Sequence, residues 1–401
     1  MLYLITLFAL AAASPAFGAH PNAKGISIPL KERTLPTEDG MAYLEALAHQ
    51  TNQNAVRYLT KEQKTRVLKK PDSSIKARNP PLDRSRTTGA WTAEIQIGSP
   101  PQYFDAVLST GSMHTWVISS TCVAEECSSN KKYDPSKSTT GMKVSNEFTV
   151  KYTSGLTVSG PVYSDTVTVG GFSVESQIFT SVNQVQGLSP GVELTVLGLA
   201  VSHKASHTNP TFIDTLTYYK QISHRIFSIY LSSVFDSELY IGGTNPEKHH
   251  GEVYYLPRQD NTFWSVEGIA SVNSEVRYKG KMVLDSGLPT IIGPIDSVKL
   301  WWDMVPGARS CKPEICGALG FFLFPCDNAP SFSFTFDEHE FTFAPEELIL
   351  DRLQSHPGEC VGAIHRTKTL KDRWILGTRF MKSVYTVFDA DKSQVGFATP
   401  V

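Results

Sequence analysis

From about Thr88 onward the chain alternates short apolar runs with glycine- and proline-rich punctuation. Trp91, Ala93, Ile95 and Ile97 alternate with Thr92, Glu94 and Gln96, the period-two pattern of a strand with one buried face. Gly98-Ser99-Pro100-Pro101 then predicts a turn. Similar runs predict strands at Phe148 to Tyr152, at Val162 to Val169 ahead of Gly170-Gly171, and at Phe227 to Leu231. Helical texture is confined to short stretches such as Ile213 to Tyr219 and Pro345 to Leu353. The chain ahead of this region reads differently. Ala19 to Arg78 is polar and interrupted by Pro29, Pro36 and Pro71, and its spacing predicts helices over Asp39 to Asn54 and Thr60 to Leu68. Met1 to Ala13 is almost wholly apolar and too short to span a bilayer. With Pro15 as breaker and small residues at Ala16 and Gly18, it predicts a signal peptide over 1–18.

Two of the apolar runs end in the same way. Ala106-Val107-Leu108 enters Ser109-Thr110-Gly111-Ser112 and continues through Met113-His114-Thr115 to Trp116-Val117. Met282-Val283-Leu284 enters Asp285-Ser286-Gly287-Leu288, 176 positions later. Each run is followed by a second signature: Val196-Leu197-Gly198-Leu199 after the first, and Ile375-Leu376-Gly377 after the second. The two glycines trail their turns by 89 and 92 residues. A doubled pattern with matched spacing predicts a duplicated molecule whose site lies at the pseudo-twofold between the copies. Within the two turns only one copy carries a carboxylate, Asp285, where the other carries Ser109.

Composition and charge narrow the picture. The 401 residues suffice for two domains with sizeable cores. The net charge of −2 hides a division, because Ala19 to Arg78 carries eleven Lys and Arg against six Asp and Glu, leaving 26 basic and 33 acidic residues elsewhere. A basic leader on an acidic body predicts a leader held partly by charge, and an acidic body excludes a nucleic-acid partner. Lys69-Lys70 and Lys76-Ala77-Arg78 read as processing sites and Asn79-Pro80-Pro81 as a linker. Six cysteines in an exported chain point to disulfides, most simply Cys122–Cys127, Cys311–Cys316 and Cys326–Cys360. No His follows the short Cys spacings at zinc-binding distance, and His203, His207, His249 and His250 read as solvated loop residues, so no metal is expected. Ser109 with His114 as a serine nucleophile and base is disfavoured, since the turn between them directs them apart.

In this order the residues resemble the pepsin-like aspartic proteases over nearly the whole chain. The resemblance rests on Ile97-Gly98-Ser99-Pro100-Pro101-Gln102, the two turns, Trp116, and the Cys122–Cys127 spacing. It extends to Trp374-Ile375-Leu376-Gly377, Tyr385-Thr386-Val387-Phe388-Asp389 and Val395-Gly396-Phe397-Ala398. It implies a mainly β, bilobal fold of two barrel-like lobes with a cleft between them. The expected divisions are a prosegment-like leader over 19–78, an N-terminal lobe over 79–252 and a C-terminal lobe over 253–401. In that family two facing carboxylates share a proton and activate a water. Thr110 and Ser286 match the hydroxyls that interlock below the acids, flanked by Gly111, Ser112 and Gly287. Tyr152 matches the flap tyrosine that hydrogen-bonds a tryptophan at the position of Trp116.

The departures matter as much as the matches. Ser109 stands where the first catalytic aspartate belongs, leaving Asp285 as the remaining acid. Leu288 replaces a hydroxyl residue, Thr378 an aspartate, and Thr153 the glycine after the flap tyrosine. The resemblance and its gaps together imply a secreted, monomeric pepsin-like homologue with impaired or absent proteolysis. Its cleft would bind a peptide or protein, or its own prosegment, without a cofactor. It would act outside the cell or in an acidic compartment of the secretory route, with no membrane anchor after signal cleavage. The alternative is an active acid endopeptidase.

Overall fold

The two strands that carry the repeated turns are built into the same local weave. Gln102–Ser109 pairs antiparallel with Thr87–Ile97, and parallel with Thr195–Gly198 in a register that sets Ser109 beside Gly198. Thr195–Gly198 in turn meets the short strand Trp116–Ile118 antiparallel. The second half repeats the arrangement. Glu275–Leu284 pairs antiparallel with Ser265–Val272 and parallel with Arg373–Leu376, which meets Ile291–Pro294 antiparallel. Each hydroxyl–glycine turn is therefore threaded beside its own aliphatic–glycine strand, as the doubled spacing predicts.

This computed structural model describes residues 25–34, 87–128, 130–151, 157–187, 195–201, 210–232, 237–316, 318–353 and 356–401. The signal peptide, both predicted leader helices, the processing sites, Tyr152 and Thr153, and His203 and His207 lie outside the described residues. The described part is mainly β, with a fourteen-stranded sheet, a seven-stranded sheet and a four-stranded one. The largest sheet begins His249–Pro257, Gln394–Pro400, Tyr385–Asp389, Ile226–Tyr230, Ser237–Ile241. It thereby joins strands from both halves of the chain before passing to those that carry Ser109. The seven-stranded sheet carries the Asp285 turn.

One apolar core runs through both halves. Trp264 stands at their junction, 6.0 Å from Phe227 and 5.2 Å from Phe388 between ring centroids. Its indole N–H donates to Leu199 O at 2.9 Å, so a residue of the second half seals the strand end beside Ser109. A smaller cluster packs Trp116 with Ile118, Val158, Val182, Val196 and the Cys122–Cys127 disulfide. All three expected disulfides are formed.

Two expectations need correction. The leader is not all helix and coil, because Ile26–Thr34 is a strand inserted between Ser237–Ile241 and Thr87–Ile97. Pro29 and the basic residues mask this in the sequence, yet Ile28 and Leu30 alternate inward and are buried. The helix expected over Pro345 to Leu353 is one 3-10 turn, Pro345–Leu348, followed by the strand Ile349–Arg352. Pairing with Glu359–Gly362 overrides local propensity there. The other expected helix is present as Phe212–Tyr218, started by a capping box in which Thr211 and Asp214 satisfy each other's backbone N–H.

Candidate active site

Thr110 and Ser286 make four hydrogen bonds across the pseudo-twofold, two of them to each other. The Ser286 N–H donates to Thr110 Oγ1 at 3.0 Å, and the Thr110 N–H donates to Ser286 Oγ at 3.1 Å. Each hydroxyl then donates its own proton across the axis, Thr110 Oγ1 to Leu284 O at 3.0 Å and Ser286 Oγ to Leu108 O at 2.8 Å. Both side chains are buried. Both N–H groups and both hydroxyls of the pair are used, so the two turns are fixed relative to each other by direct hydrogen bonds.

This lock sets Ser109 and Asp285 face to face. Asp285 Oδ1 accepts from the Gly287 N–H at 2.9 Å and, across the axis, from the Gly111 N–H at 3.2 Å. Ser109 is tied through its carbonyl, which accepts from Leu199 N at 2.9 Å and Ser112 N at 3.3 Å. A β-carbon on Gly287 would lie 2.7 Å from Ser109 Oγ and 3.2 Å from Asp285 Oδ1. The hydroxyl and the carboxylate thus converge on one point, and only glycine leaves it open. In the folded chain Ser109 is 2% exposed and Asp285 0%.

The aliphatic–glycine repeats have a steric cause. A β-carbon on Gly198 would sit 2.7 Å from the backbone carbon of Met113, and one on Gly377 would sit 2.1 Å from Leu288 O. In each half the chain leaving the turn crosses directly over this glycine. Leu288 is fully buried among Val283, Ile292, Leu370 and Ile375, and its carbonyl accepts from the Thr378 N–H at 2.7 Å. Positions 288 and 378 are therefore neighbours, and the Leu288 side chain fills an apolar pocket.

Other expected residues fall as follows. Ser112 Oγ accepts from His114 N and donates to His114 O, both at 3.3 Å, closing the loop after the first turn. The His114 ring packs on Phe148, 4.8 Å between centroids, in the strand Met142–Lys151. Trp116 is buried beneath that hairpin, with Val150 and Val185 against its cluster. His249 lies beside Tyr385 and bonds Gly251 O through Nδ1. Among the described residues no group of three His, Cys, Asp or Glu side chains could hold a metal ion.

His365 was not foreseen. It is fully buried, stacked on Phe321, with Nε2 2.9 Å from Thr290 Oγ1. Thr290 O accepts the Gly377 N–H, so this pair braces the crossing beneath Asp285. Burial pushes the imidazole down to about 3, which keeps it neutral. An isolated histidine in the run Val361-Gly362-Ala363-Ile364-His365 gives no sequence signal for this.

Paired turns, interlocked hydroxyls and a doubled β weave define the pepsin-like class of aspartic proteases. A family model described as eukaryotic aspartyl protease matches residues 90–400, and the chain belongs to that family. It is similar to cathepsin D of Rattus norvegicus, 32% identical over 333 residues covering 76% of this chain and 79% of the relative. An aspartic protease of Phaffia rhodozyma is 29% identical, covering 81% and 83%. Vacuolar protease A of Neurospora crassa is 28% identical, covering 83% and 84%. No helix among the described residues is long and apolar enough to cross a membrane.

Proposed function

We propose that this chain is a secreted pepsin-like homologue whose cleft binds a peptide or protein segment without cleaving it. The observation that carries the reading is Ser109 facing Asp285 across Gly287. Water activation in this family uses one ionised and one protonated carboxyl, and a serine hydroxyl supplies neither role near neutral or acidic pH. Loss of general acid–base assistance alone costs roughly 10²–10⁴ in rate. Leu288 in place of a hydroxyl residue and Thr378 in place of an aspartate take a further hydroxyl and a further carboxylate from the surroundings of Asp285. The basic leader acts as a prosegment against an acidic body, and the vacuolar and cathepsin-named relatives support an acidic compartment of the secretory route or the extracellular space. The working form is a monomer.

A second reading, an active acid endopeptidase, is favoured by the Thr110–Ser286 lock, which is complete. One experiment separates the two. The purified protein is assayed on denatured protein at acidic pH, with and without a transition-state peptide inhibitor, beside Ser109→Asp. No cleavage by the natural chain, with inhibitor-sensitive cleavage by Ser109→Asp, is expected. Inhibitor-sensitive cleavage by the natural chain would overturn the proposal.

A further inference from the structure

The strand Ile364–Thr367 lies close to Asp285. It is the last strand of the seven-stranded sheet and pairs parallel with Ile291–Pro294, the strand that leaves the Asp285 turn, with Arg366 opposite Gly293. His365 points inward, to Thr290 Oγ1 and the Phe321 ring. By strand alternation Arg366 projects from the other face. A platform waits there. The buried rings of Trp302 and Phe322 are stacked, 5.3 Å between centroids and 10° between planes, and the Arg366 guanidinium lies 5.1 Å over Phe322. The Trp302 indole N–H donates to Ile364 O at 2.9 Å, which ties the platform to the same strand.

From the side, Arg366 Nη2 donates to Ser310 Oγ at 3.1 Å. Stacking below and this bond beside it hold the planar guanidinium in one orientation while it is still partly exposed. Its charge is not compensated nearby. Arg225, Arg277, Arg309, Arg373 and Arg379 each pair with a carboxylate of the chain. Arg366 pairs with none among the described residues; its polar partner is the neutral hydroxyl of Ser310. Glu359, on the adjoining four-stranded sheet, is already held by Arg309, with one bond at 2.8 Å. Lys312, two residues past Ser310, and Lys368, two past Arg366, are exposed and add positive charge. A body richer in acidic than basic residues thus carries a basic rim beside its site.

We propose that Arg366 is a specificity-determining residue of the cleft, selecting a peptide segment that carries an aspartate or glutamate carboxylate where it passes the strand Ile364–Thr367. A guanidinium held flat on an aromatic ring presents its N–H edge to a carboxylate with little further ordering to do. A segment that reaches Asp285 along the second half meets this edge, since the strand is one removed from the chain leaving the turn. The inference rests on the reading of the cleft as a peptide-binding site and adds the chemistry of its ligand.

The test uses the full chain and a pepsin-type peptide inhibitor extended by two glutamates at one end or at the other, with glutamine and lysine versions of each. Isothermal titration at about pH 5, where glutamate is mostly ionised, gives the affinity ratio of the versions within one protein, so a general loss of affinity cancels. One of the two glutamate versions is expected to bind about fivefold tighter than its glutamine counterpart at low salt, and the advantage to fade at about 1 M salt. In Arg366→Gln the advantage is expected to vanish, and in Arg366→Glu to pass to the lysine version. Equal binding of glutamate and glutamine versions by the natural chain overturns the proposal, and so does an undiminished glutamate advantage in Arg366→Gln. Binding without charge preference removes this inference alone and leaves the peptide-binding reading standing. No binding of any version by the natural chain sinks both.

Discussion

Thr110 and Ser286, 176 residues apart, each take the other's backbone N–H on a side-chain oxygen, at 3.0 and 3.1 Å. The pair is symmetric where Ser109 and Asp285 are not. The hydroxyls that join the two turns match across the axis, whereas the residues just ahead of them, a serine and an aspartate, do not.

Because all the partners are buried, removing either hydroxyl strands two groups of the opposite turn. Ser286→Ala leaves Thr110 N–H and Leu108 O unmet, and Thr110→Val leaves Ser286 N–H and Leu284 O unmet. At about 1–3 kcal/mol per stranded group, each substitution should cost roughly 2–6 kcal/mol in denaturant unfolding. A cost near zero for either would mean that the lock does not hold the turns together.

Gly287→Ala should close the gap between Ser109 and Asp285, since its β-carbon would come within 2.7 Å of Ser109 Oγ. Overpacking of this kind costs about 1–3 kcal/mol. Isothermal titration with a pepsin-type peptide inhibitor should show binding lost well beyond the change in stability. Unchanged affinity would place the ligand elsewhere.

His365 makes stability depend on acid. Burial holds its folded pKa at about 3, below the ordinary value of about 6.5 in the unfolded chain. The unfolded state therefore binds the extra proton. The histidine's contribution is complete above about pH 6.5 and is lost as pH falls toward 3, by up to about 1.4 kcal/mol per unit. His365→Asn, which retains a partner for Thr290 without titrating there, should flatten the stability profile across that window. A parallel profile would show that His365 protonates freely in the folded state.

The disulfides should differ in worth. Cys326–Cys360 spans 34 residues and Cys122–Cys127 only five, so loop entropy assigns them about 4 and about 2 kcal/mol. Replacing each pair by serine and comparing urea midpoints checks the order. The reverse order would point to packing of the short bridge beneath Trp116 as the larger effect.

Much of the site is legible in the one-dimensional chain because its causes are local. A strand ending in hydroxyl–glycine must turn there, and an aliphatic–glycine run 89 or 92 residues later must let a backbone cross. Both constraints leave their residue types in place, so Ser109, Thr110, Asp285, Ser286, Gly198 and Gly377 could be found by spacing. The cysteine pairing was readable for the same reason. Leu288 stood out as a departure, but that it fills a pocket with Ile292 and Leu370 was not visible.

What the sequence determines by itself is thus the duplication, the mainly β character and the chemical asymmetry of Ser109 and Asp285, all carried by short patterns and residue identity. What only the tertiary structure decides is who meets whom over long separations. Ser27 finds Glu238 211 residues away, and Thr290 finds His365 75 residues away. Burial then gives each contact its consequence, a wired leader strand in one case and a neutral imidazole in the other. Burial is a property of the packed chain, and neither the polar leader nor a lone histidine in an apolar run announces it.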